Sequence, residues 1–369
     1  MLAFQYIDDD ASLTELVSQY RQSTLLVLDT EFVRTRTYYA RLGLIQAYDG
    51  KTLALIDPIA VGNLSEFWSL LTEPEITTVL HSCSEDLEVF ARNGQCQPIR
   101  LFDSQIAASL CGFGHGLGYA KLVEQTLNIA LDKGESRTDW MKRPLSKAQL
   151  TYAANDVYYL YELYPQLIQK LEDTDRLDWV FEEGERMTQG RLTPPDLELA
   201  YLKVKNAFQL SSQQLAYLKV LAKWRLKKAL SRDLAVGFVV KDHALIGLAK
   251  KQPKNTNELN KMIELTDQEK RIHGRDLLAL LDTADLDNPP KSIDVLALKN
   301  GYKSSFKTIK NCLTALSEKH DVPIELLGSK RHIHEYLQWF WDGKIGDAPL
   351  LLSGWRGEIA ASPLAELAL

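Results

Sequence analysis

Two acidic residues near the start of the sequence, Asp29 and Glu31, have the type and spacing of cation ligands. Residues 25–28 form a short apolar run that is typical of a buried strand. Because side chains alternate along a strand, the two carboxylates are expected on one face, about 7 Å apart, where they can bind a hard divalent cation. Two solvated acids on a surface strand fit the same spacing, although a central strand rarely carries acids without a partner.

Three further residues could act together with this pair: Asp86, Tyr152 and Asp156. Asp86 falls in the first turn of a predicted helix, where an acidic side chain also stabilises the helix dipole. Tyr152 and Asp156 are four positions apart on a long predicted helix, so they share one face. Taken alone, each of these features fits an ordinary helix surface better than a reactive site. The chemistry is indicated only by the complete set.

The elements that must hold these side chains can be predicted from the apolar pattern. Five strand-like runs alternate with helices up to about residue 171, Asp49-Gly50 predicts a hairpin, and a capping box at Ser146 begins the long helix. This alternation indicates an α/β domain with a mixed sheet flanked by helices. From residue 177 the periodicity is helical throughout, including residues 196–207, with breaks at two Pro-Pro pairs.

The charge distribution separates the two halves of the chain. Residues 1–200 contain 17 basic and 30 acidic residues, whereas residues 201–369 contain 26 basic and 19 acidic residues. The overall net charge of −6 would argue against a nucleic-acid partner if it were spread evenly. An acidic N-terminal half followed by a basic helical half indicates instead that the two halves have different functions.

The basic residues are densest in residues 201–251, which hold 11 Lys and Arg but only two acidic residues, Asp233 and Asp242. The lack of compensating acids in this segment favours phosphate contact over a merely solvated face. Three of the lysines are spaced at i, i+4 and i+8 on one helix face, and a fourth is adjacent to them. The predicted RNA-binding basic face comprises Lys219, Lys223, Lys227 and Lys228.

The order of the acidic and tyrosine residues resembles a known superfamily. Asp-x-Glu at a strand end, an Asp about 55 residues later and Tyr-x-x-x-Asp on a late helix resemble the DEDD 3′–5′ exonucleases, in their tyrosine-bearing branch. One departure is that Glu85 precedes Asp86, where many members carry Asn and an aromatic residue. Further segments resemble the ribonuclease D family, and both helical blocks resemble HRDC modules; the segments are residues 29–39, 44–46, 84–88, 103–105, 135–140 and 143–145.

The resemblance implies a ribonuclease H-like α/β exonuclease domain followed by two all-α HRDC modules. It implies that Tyr152 orients the attacking water, and that the product is a nucleoside 5′-monophosphate. Two Mg²⁺ or Mn²⁺ ions suit this reaction, because they prefer oxygen ligands and can activate water while neutralising phosphate charge. The implied partners are RNA and the 3′ ends of tRNA precursors and small structured RNAs. The implied metal ligands are Asp29, Glu31, Asp86 and Asp156.

Several residues near these motifs are candidates for binding the substrate. They combine basic, amide and imidazole side chains, which can contact phosphates or bases. Each also has a structural interpretation, as a solvated rim, a packed histidine or a plain surface loop. The candidates are Arg34, Gln46, His81, Lys133 and Arg137.

These features predict four successive regions: an exonuclease domain (1–175), a helical linker (176–208) and two HRDC domains (209–288 and 289–369). Four scattered cysteines and the absence of a signal-like or membrane-spanning segment predict a cytoplasmic protein, which we expect to be a monomer. Two other functions stay open, namely a 3′–5′ exonuclease that acts on DNA and a non-catalytic RNA-binding scaffold. The scaffold predicts that a metal ligand or the tyrosine has been lost, and all five are present.

Overall fold

The computed structural model describes residues 2–132 and 134–369. The chain divides into two compact units, and both are discontinuous in sequence. The first unit contains the chain up to Val33, Arg41–Leu192 and Leu296–Leu369. The second contains Arg34–Ala40 and Thr193–Val295. The two compact units do not coincide with the four regions that the sequence predicts. The boundaries of those four regions therefore stay a prediction.

A six-stranded mixed sheet forms the centre of the first unit. The strands lie in the order β1-β4-β3-β2-β5-β6, with β2 antiparallel to β3 and parallel to β5. The mixed sheet flanked by helices confirms the predicted fold class. The strands are β1 (Gln5–Ile7), β2 (Leu25–Val33), β3 (Arg41–Tyr48), β4 (Leu53–Ile56), β5 (Thr77–Leu80) and β6 (Leu101–Asp103).

The sequence pattern predicts five of these strands and misses β1. This strand has only three residues and lies at the sheet edge, where it pairs in parallel with β4. Three residues are too few to show a strand periodicity. The predicted hairpin at Asp49-Gly50 is confirmed, since β3 and β4 pair in antiparallel fashion and Gly50 has a φ of 88°.

Seven helices follow or cover the strands of this unit. The longest, α6, begins with the predicted capping box, in which Ser146 and Gln149 bond to each other's backbone, and it continues through Pro165. Buried alanines and leucines along α6 contact the sheet. The helices are α1 (Asp10–Tyr20), α2 (Ser65–Ser69), α3 (Ser84–Asn93), α4 (Ser104–Leu110), α5 (Tyr119–Leu127), α6 (Lys147–Asp173) and α7 (Leu177–Thr188).

The second unit is all-helical. Its hydrophobic core is built around the longest helix of the unit, and Tyr38, from the segment Arg34–Ala40, packs against that core. Residues 196–207, predicted as one helix, form only 3₁₀ turns at Ala200–Lys203 and Ala207–Gln209, because Asn206 between them adopts a left-handed conformation. The helices are α8 (Ser212–Arg232), α9 (Val236–Val239), α10 (Asp242–Lys251), α11 (Thr256–Asn260) and α12 (Asp267–Leu281).

The C-terminal helices complete the first unit. One hydrophobic cluster joins them to the sheet and to α6. Arg176, just before α7, donates hydrogen bonds to the carbonyl oxygens of Leu110 and His320. Within the described residues, no helix is both long and apolar enough to cross a membrane. The helices are α13 (Tyr302–His320), α14 (Ile324–Leu327), α15 (Lys330–Trp341) and α16 (Gly354–Ala365).

Candidate active site

Strand β2 carries Asp29 and Glu31 at the middle of the sheet. Asp29 lies opposite Gln46 of β3, and the register of the two strands shifts directly after Glu31. The residues before Asp29 are fully buried, so β2 is the central strand that the sequence predicts. The two carboxylates therefore occur at a buried position of the sheet, where isolated charges are costly.

Helix α6 brings Asp156 to the same place. Ala153 and Ala154 are buried on this helix, and their small side chains allow a close approach to the sheet. One carboxylate oxygen from each of Asp29, Glu31 and Asp156 lies within 4.8 Å of the others. Residues separated by more than 120 positions in sequence thus form one compact set of oxygen ligands.

Burial raises the pKa values of all three acids, and neighbouring carboxylates add to the effect at Asp29 and Glu31. Burial raises the pKa of Asp29 well above its ordinary value, and the charge of Asp156 adds to the effect. Burial, followed by the charge of Asp29, raises the pKa of Glu31 to about 10. Burial raises the pKa of Asp156 to about 8, against an opposing effect of the Tyr152 hydroxyl. Repulsion of this kind disappears when a cation binds between the acids.

Asp86 lies beside the three acids but outside the group within 4.8 Å. It is buried on α3 and accepts a hydrogen bond from the Thr30 hydroxyl. Its pKa is raised by burial and then by the charge of Asp29. Glu85, its neighbour in sequence, is exposed, which supports Asp86 as the ligand in the motif that departs from the family pattern.

The start of α3 is held in place by Asp103 at the end of β6. The Asp103 carboxylate accepts a hydrogen bond from the backbone N–H of Cys83 at 2.8 Å, and it also caps α4. One side chain therefore fixes the beginnings of two helices, one of which carries Asp86. The sequence pattern marks Asp103 only as part of a matching segment and does not reveal this role.

Tyr152 lies at the edge of the carboxylate set. Burial raises the pKa of its hydroxyl, and the charges of Asp156 and Glu31 raise it further. Its ring lies 6.2 Å from that of the buried Trp140. Trp140 packs directly against Gly43 of β3, where a Cβ atom would come within 2.6 Å of the Trp140 carbonyl oxygen.

An ion pair anchors the loop that carries Trp140. The Arg143 guanidinium binds the Asp57 carboxylate in a bidentate manner and also donates a hydrogen bond to the Gly43 carbonyl oxygen at 2.6 Å. Paired guanidinium–carboxylate bonds of this kind give strong geometric specificity. Arg143 in the segment 143–145 thus holds the loop in which Trp140 lies beside Tyr152.

Tyr119 is a neighbour of the site that the sequence pattern does not mark. Its hydroxyl donates a hydrogen bond to the Asn155 carbonyl oxygen at 3.0 Å on α6. Burial raises the pKa of Tyr119, and the charges of Asp156 and Asp29 add to this effect. A tyrosine on a short helix gives no local signal of this position, because the contact depends on the packing of α5 against α6.

The donor set fits divalent cations. Three carboxylates meet within 4.8 Å and the buried Asp86 lies beside them, and Asp156 Oδ2 is buried without a hydrogen-bond partner among the described residues. A buried carboxylate oxygen without a partner costs free energy unless a cation or another donor binds it. Oxygen-only sites of this kind suit Mg²⁺ or Mn²⁺ better than zinc or copper.

Two substrate candidates, Gln46 and His81, lie inside the fold. Gln46 is fully buried opposite Asp29, and neither of its amide atoms has a hydrogen-bond partner among the described residues. His81 Nδ1 lies 2.9 Å from the Ser104 hydroxyl, and burial lowers the pKa of the imidazole. These surroundings favour the packed interpretation of His81 over direct contact with RNA.

The basic candidates are divided between the two units. Arg137 is exposed in the first unit, Arg34 is exposed in the second, and Lys133 lies outside the described residues. No described residue contacts Arg137 through a hydrogen bond or an ion pair. These observations leave Arg137 available to a phosphate, and its role remains a prediction.

The basic face on α8 is more compensated than the sequence pattern suggests. Glu198 pairs with both Lys219 and Lys223, and Asp276 pairs with Lys228 at 2.8 Å. Both acids lie outside residues 201–251, so the argument from missing acids in that segment was wrong for three of the four lysines. Lys227 alone among the four has no ion pair within the described part of the chain.

Three family profiles match successive parts of the chain. Residues 4–172 match a 3′–5′ exonuclease domain, residues 214–281 an HRDC domain, and residues 300–364 the C-terminal HRDC domain of ribonuclease D. These matches confirm the predicted type of each module.

Similar proteins and structures match the full length of the chain. It is 71% identical over 364 residues to ribonuclease D of Shewanella sp. (strain ANA-3), covering 99% of this chain and 94% of that protein. It is 43% identical over 368 residues to ribonuclease D of Escherichia coli (strain K12), covering 99% and 98%. The crystal structure of Escherichia coli RNase D superposes with a TM-score of 0.94 at 42% identity, covering 99% and 98%.

The relatives and the structure agree on one assignment. The exonuclease fold implies dependence on divalent metal ions, and the buried carboxylates on β2, α3 and α6 fit that requirement. The chain belongs to the ribonuclease D family of 3′–5′ exoribonucleases.

Proposed function

We propose that this chain shortens RNA from the 3′ end and releases nucleoside 5′-monophosphates, with two Mg²⁺ or Mn²⁺ ions held by Asp29, Glu31, Asp86 and Asp156. The observation that carries the proposal is the group of three carboxylates within 4.8 Å, with a fourth buried beside it. When bound, the ions lower the pKa of water and neutralise charge at the reacting phosphate.

The roles of the residues follow from their surroundings. Asp29 and Glu31 are held in place by the pairing of β2 with β3, and Asp156 is fixed on a long helix. Asp86 accepts the Thr30 hydroxyl on Oδ1, which leaves Oδ2 of the same carboxylate for the site. Three ligands within 4.8 Å and a fourth held by Thr30 form a preorganised set, which limits the reorganisation that substrate binding requires.

Tyr152 orients the attacking water in this proposal. Because burial and the nearby carboxylates raise the pKa of its hydroxyl, the phenol stays protonated at neutral pH. A protonated phenol can donate one hydrogen bond and accept another, but it is a poor general base. We therefore assign Tyr152 to the position of the water and the removal of its proton to the other groups of the site.

The natural substrates proposed are the 3′ ends of tRNA precursors and small structured RNAs. The similar Escherichia coli protein of known structure is described as an exoribonuclease involved in structured RNA processing. A likeness over 99% of this chain, with matching helical modules, supports the same substrate class here. We further propose that the chain acts as a monomer in the cytoplasm.

The experiment that tests the proposal compares turnover of matched RNA and DNA oligomers that carry a 5′ label. We expect RNA to be shortened stepwise from its 3′ end to nucleoside 5′-monophosphates, with no activity in EDTA and full recovery on adding Mg²⁺ or Mn²⁺. Equal turnover of the DNA oligomer would favour the alternative of a DNA exonuclease. Binding of RNA without hydrolysis in any metal would favour the scaffold.

A further inference from the structure

A cavity of about 460 Å³ opens within the second unit. Its volume is in the range of about 300–1,000 Å³ that is usual for small-molecule sites. Tyr38, from the segment Arg34–Ala40, contributes an aromatic ring, and Ala222, Leu226 and Val236 contribute aliphatic wall. An aromatic ring beside an apolar wall is the surface on which an unpaired base stacks.

A buried arginine lines this cavity. Arg225 is 5% exposed, and its Nη1 atom donates hydrogen bonds to the Val240 carbonyl oxygen and to Asp242. Its Nε atom is also buried but has no hydrogen-bond partner among the described residues. Because water cannot reach Nε, Arg225 contributes its positive charge beside the cavity and not a free donor.

Two cations complete the lining of the cavity. Lys203 and Lys241 are exposed, and neither has an ion pair within the described part of the chain. Asp242, the acid in the lining, is already paired with Arg225 at 2.7 Å. The cavity therefore keeps a net positive charge, which suits phosphates on either side of a bound base.

We propose that this cavity binds one unpaired nucleotide of the RNA. The base stacks on Tyr38 between the apolar walls, and the flanking phosphates bind Lys203 and Lys241. The site would make the second unit a reader of single-stranded RNA, and not only a basic surface. This inference rests on RNA as the substrate, but it does not require that the chain hydrolyses it.

The test measures binding of a fluorescein-labelled RNA dodecamer to the full chain by anisotropy, in EDTA, so that hydrolysis cannot contribute. We expect Tyr38→Ala to weaken binding about tenfold, whereas Tyr38→Phe retains the ring and the affinity. Gly237→Leu should weaken binding by a similar factor. Gly237 lines the cavity, its φ lies outside the left-handed region, and no atom lies within 4 Å of an added Cβ.

A matched pair of double variants separates the cavity from general charge. Lys203→Ala with Lys241→Ala should weaken binding about tenfold, while Lys250→Ala with Lys261→Ala should change it less than threefold. Lys250 and Lys261 are exposed in the same unit and do not line the cavity. Equal losses from the two double variants would overturn the site.

An abasic oligomer of equal length tests whether the base is recognised. The parent chain and Tyr38→Ala should bind it equally, because no base is present to stack. A tenfold loss on the abasic oligomer as well would mean that Tyr38 has only a structural role. Unchanged RNA affinity in Gly237→Leu would likewise contradict the proposal, whatever the rate of hydrolysis. Thermal unfolding of each variant checks that the second unit is intact.

Discussion

Two acidic sites in the first unit, a group of three carboxylates and the single carboxylate of Glu183, have opposite surroundings. Asp29, Glu31 and Asp156 face one another, and burial and mutual repulsion raise their pKa values. Glu183 on α7 is fully buried but binds the guanidinium groups of Arg356 and Arg186, which lower its pKa to about 2 against the effect of burial. The groups that contact a buried acid, rather than its burial, therefore decide whether its charged form is stable.

The comparison separates a functional site from a structural one. Glu183 also accepts a hydrogen bond from the Trp355 indole, and the Trp355 ring stacks on Trp179 at 4.8 Å. Every polar group there has a partner within the fold, so the Glu183–Arg356 ion pair joins α7 to α16 without any ligand. The acids on β2 and α6 are not satisfied within the fold, so bound cations would stabilise that site.

Removing one acid of the unsatisfied group should have the largest effect. We expect Asp29→Asn to lower the rate of RNA hydrolysis by about 10³-fold or more in saturating Mg²⁺. In metal-free buffer the variant should unfold at the same temperature as the parent or higher, because repulsion among the acids is reduced. Glu31→Gln and Asp156→Asn should behave alike, and a rate close to the parent in any of the three would disprove the assignment.

Removing Glu183, the acid that has partners within the fold, should instead lower the stability of the protein. Glu183→Gln leaves the buried Arg356 without its counter-charge, and we expect the free energy of unfolding to fall by about 3 kcal/mol. The exposed pair Arg331–Glu335 offers a matched control, since Glu335→Gln should change stability by less than about 0.5 kcal/mol. Chemical denaturation measures both, and equal effects would show that burial of the pair has no importance.

The two groups should also respond to pH in opposite directions. The folded pKa of Asp156 is about 8, above its ordinary 3.8, so the metal-free protein loses stability from this group as pH rises from about 4 to 8. The folded pKa of Glu183 is about 2, below its ordinary 4.5, so its contribution is lost as pH falls from 4.5 towards 2.

Unfolding measured in EDTA between pH 4 and 8 tests the contribution of Asp156, and the same measurement between pH 4.5 and 2 tests that of Glu183. The parent should lose stability relative to Asp156→Asn as pH rises, and added Mg²⁺ should remove the difference. A parent and variant with parallel pH profiles would contradict the raised pKa of Asp156.

Lysines of α8 with and without an acidic partner should also differ, although the effect is smaller. Lys227 has no acidic partner among the described residues, whereas Lys223 is paired with Glu198. We expect Lys227→Ala to weaken RNA binding two- to threefold and to reduce the slope of log affinity against log salt by about 0.7. Lys223→Ala should have the weaker effect on both quantities. Identical salt slopes for the two variants would show that the ion pair with Glu198 does not limit phosphate contact.

The local pattern of the sequence is enough to predict the strand and the helix that carry the acidic residues. Asp29 and Glu31 alternate along an apolar run, and the capping box at Ser146 marks the start of the helix that carries Asp156. Strand and helix periodicities are local properties, so they can be read without knowing the fold. The family resemblance adds the predicted roles of Asp86, Tyr152 and Asp156, which their spacing alone does not favour.

Contacts between distant residues leave no such local signal. The Thr30 hydroxyl binds Asp86, Arg143 binds Asp57, and Glu198 pairs with two lysines on α8. Each partner lies at least 21 residues away, and its position depends on how whole elements pack. For this reason the sequence overestimates the free charge of the basic face and does not reveal what holds the tyrosine.

The interleaving of the two units has a consequence for synthesis of the protein on the ribosome. The connection between β2 and β3 belongs to the second unit, where the Arg36 carbonyl oxygen accepts a hydrogen bond from the Ala235 N–H. These partners of the connection are translated about 200 residues after it. The first unit, in turn, includes Leu296–Leu369, which follow the second unit in sequence. A chain that is still being translated therefore lacks α13–α16 of the nuclease unit until the second unit has been made.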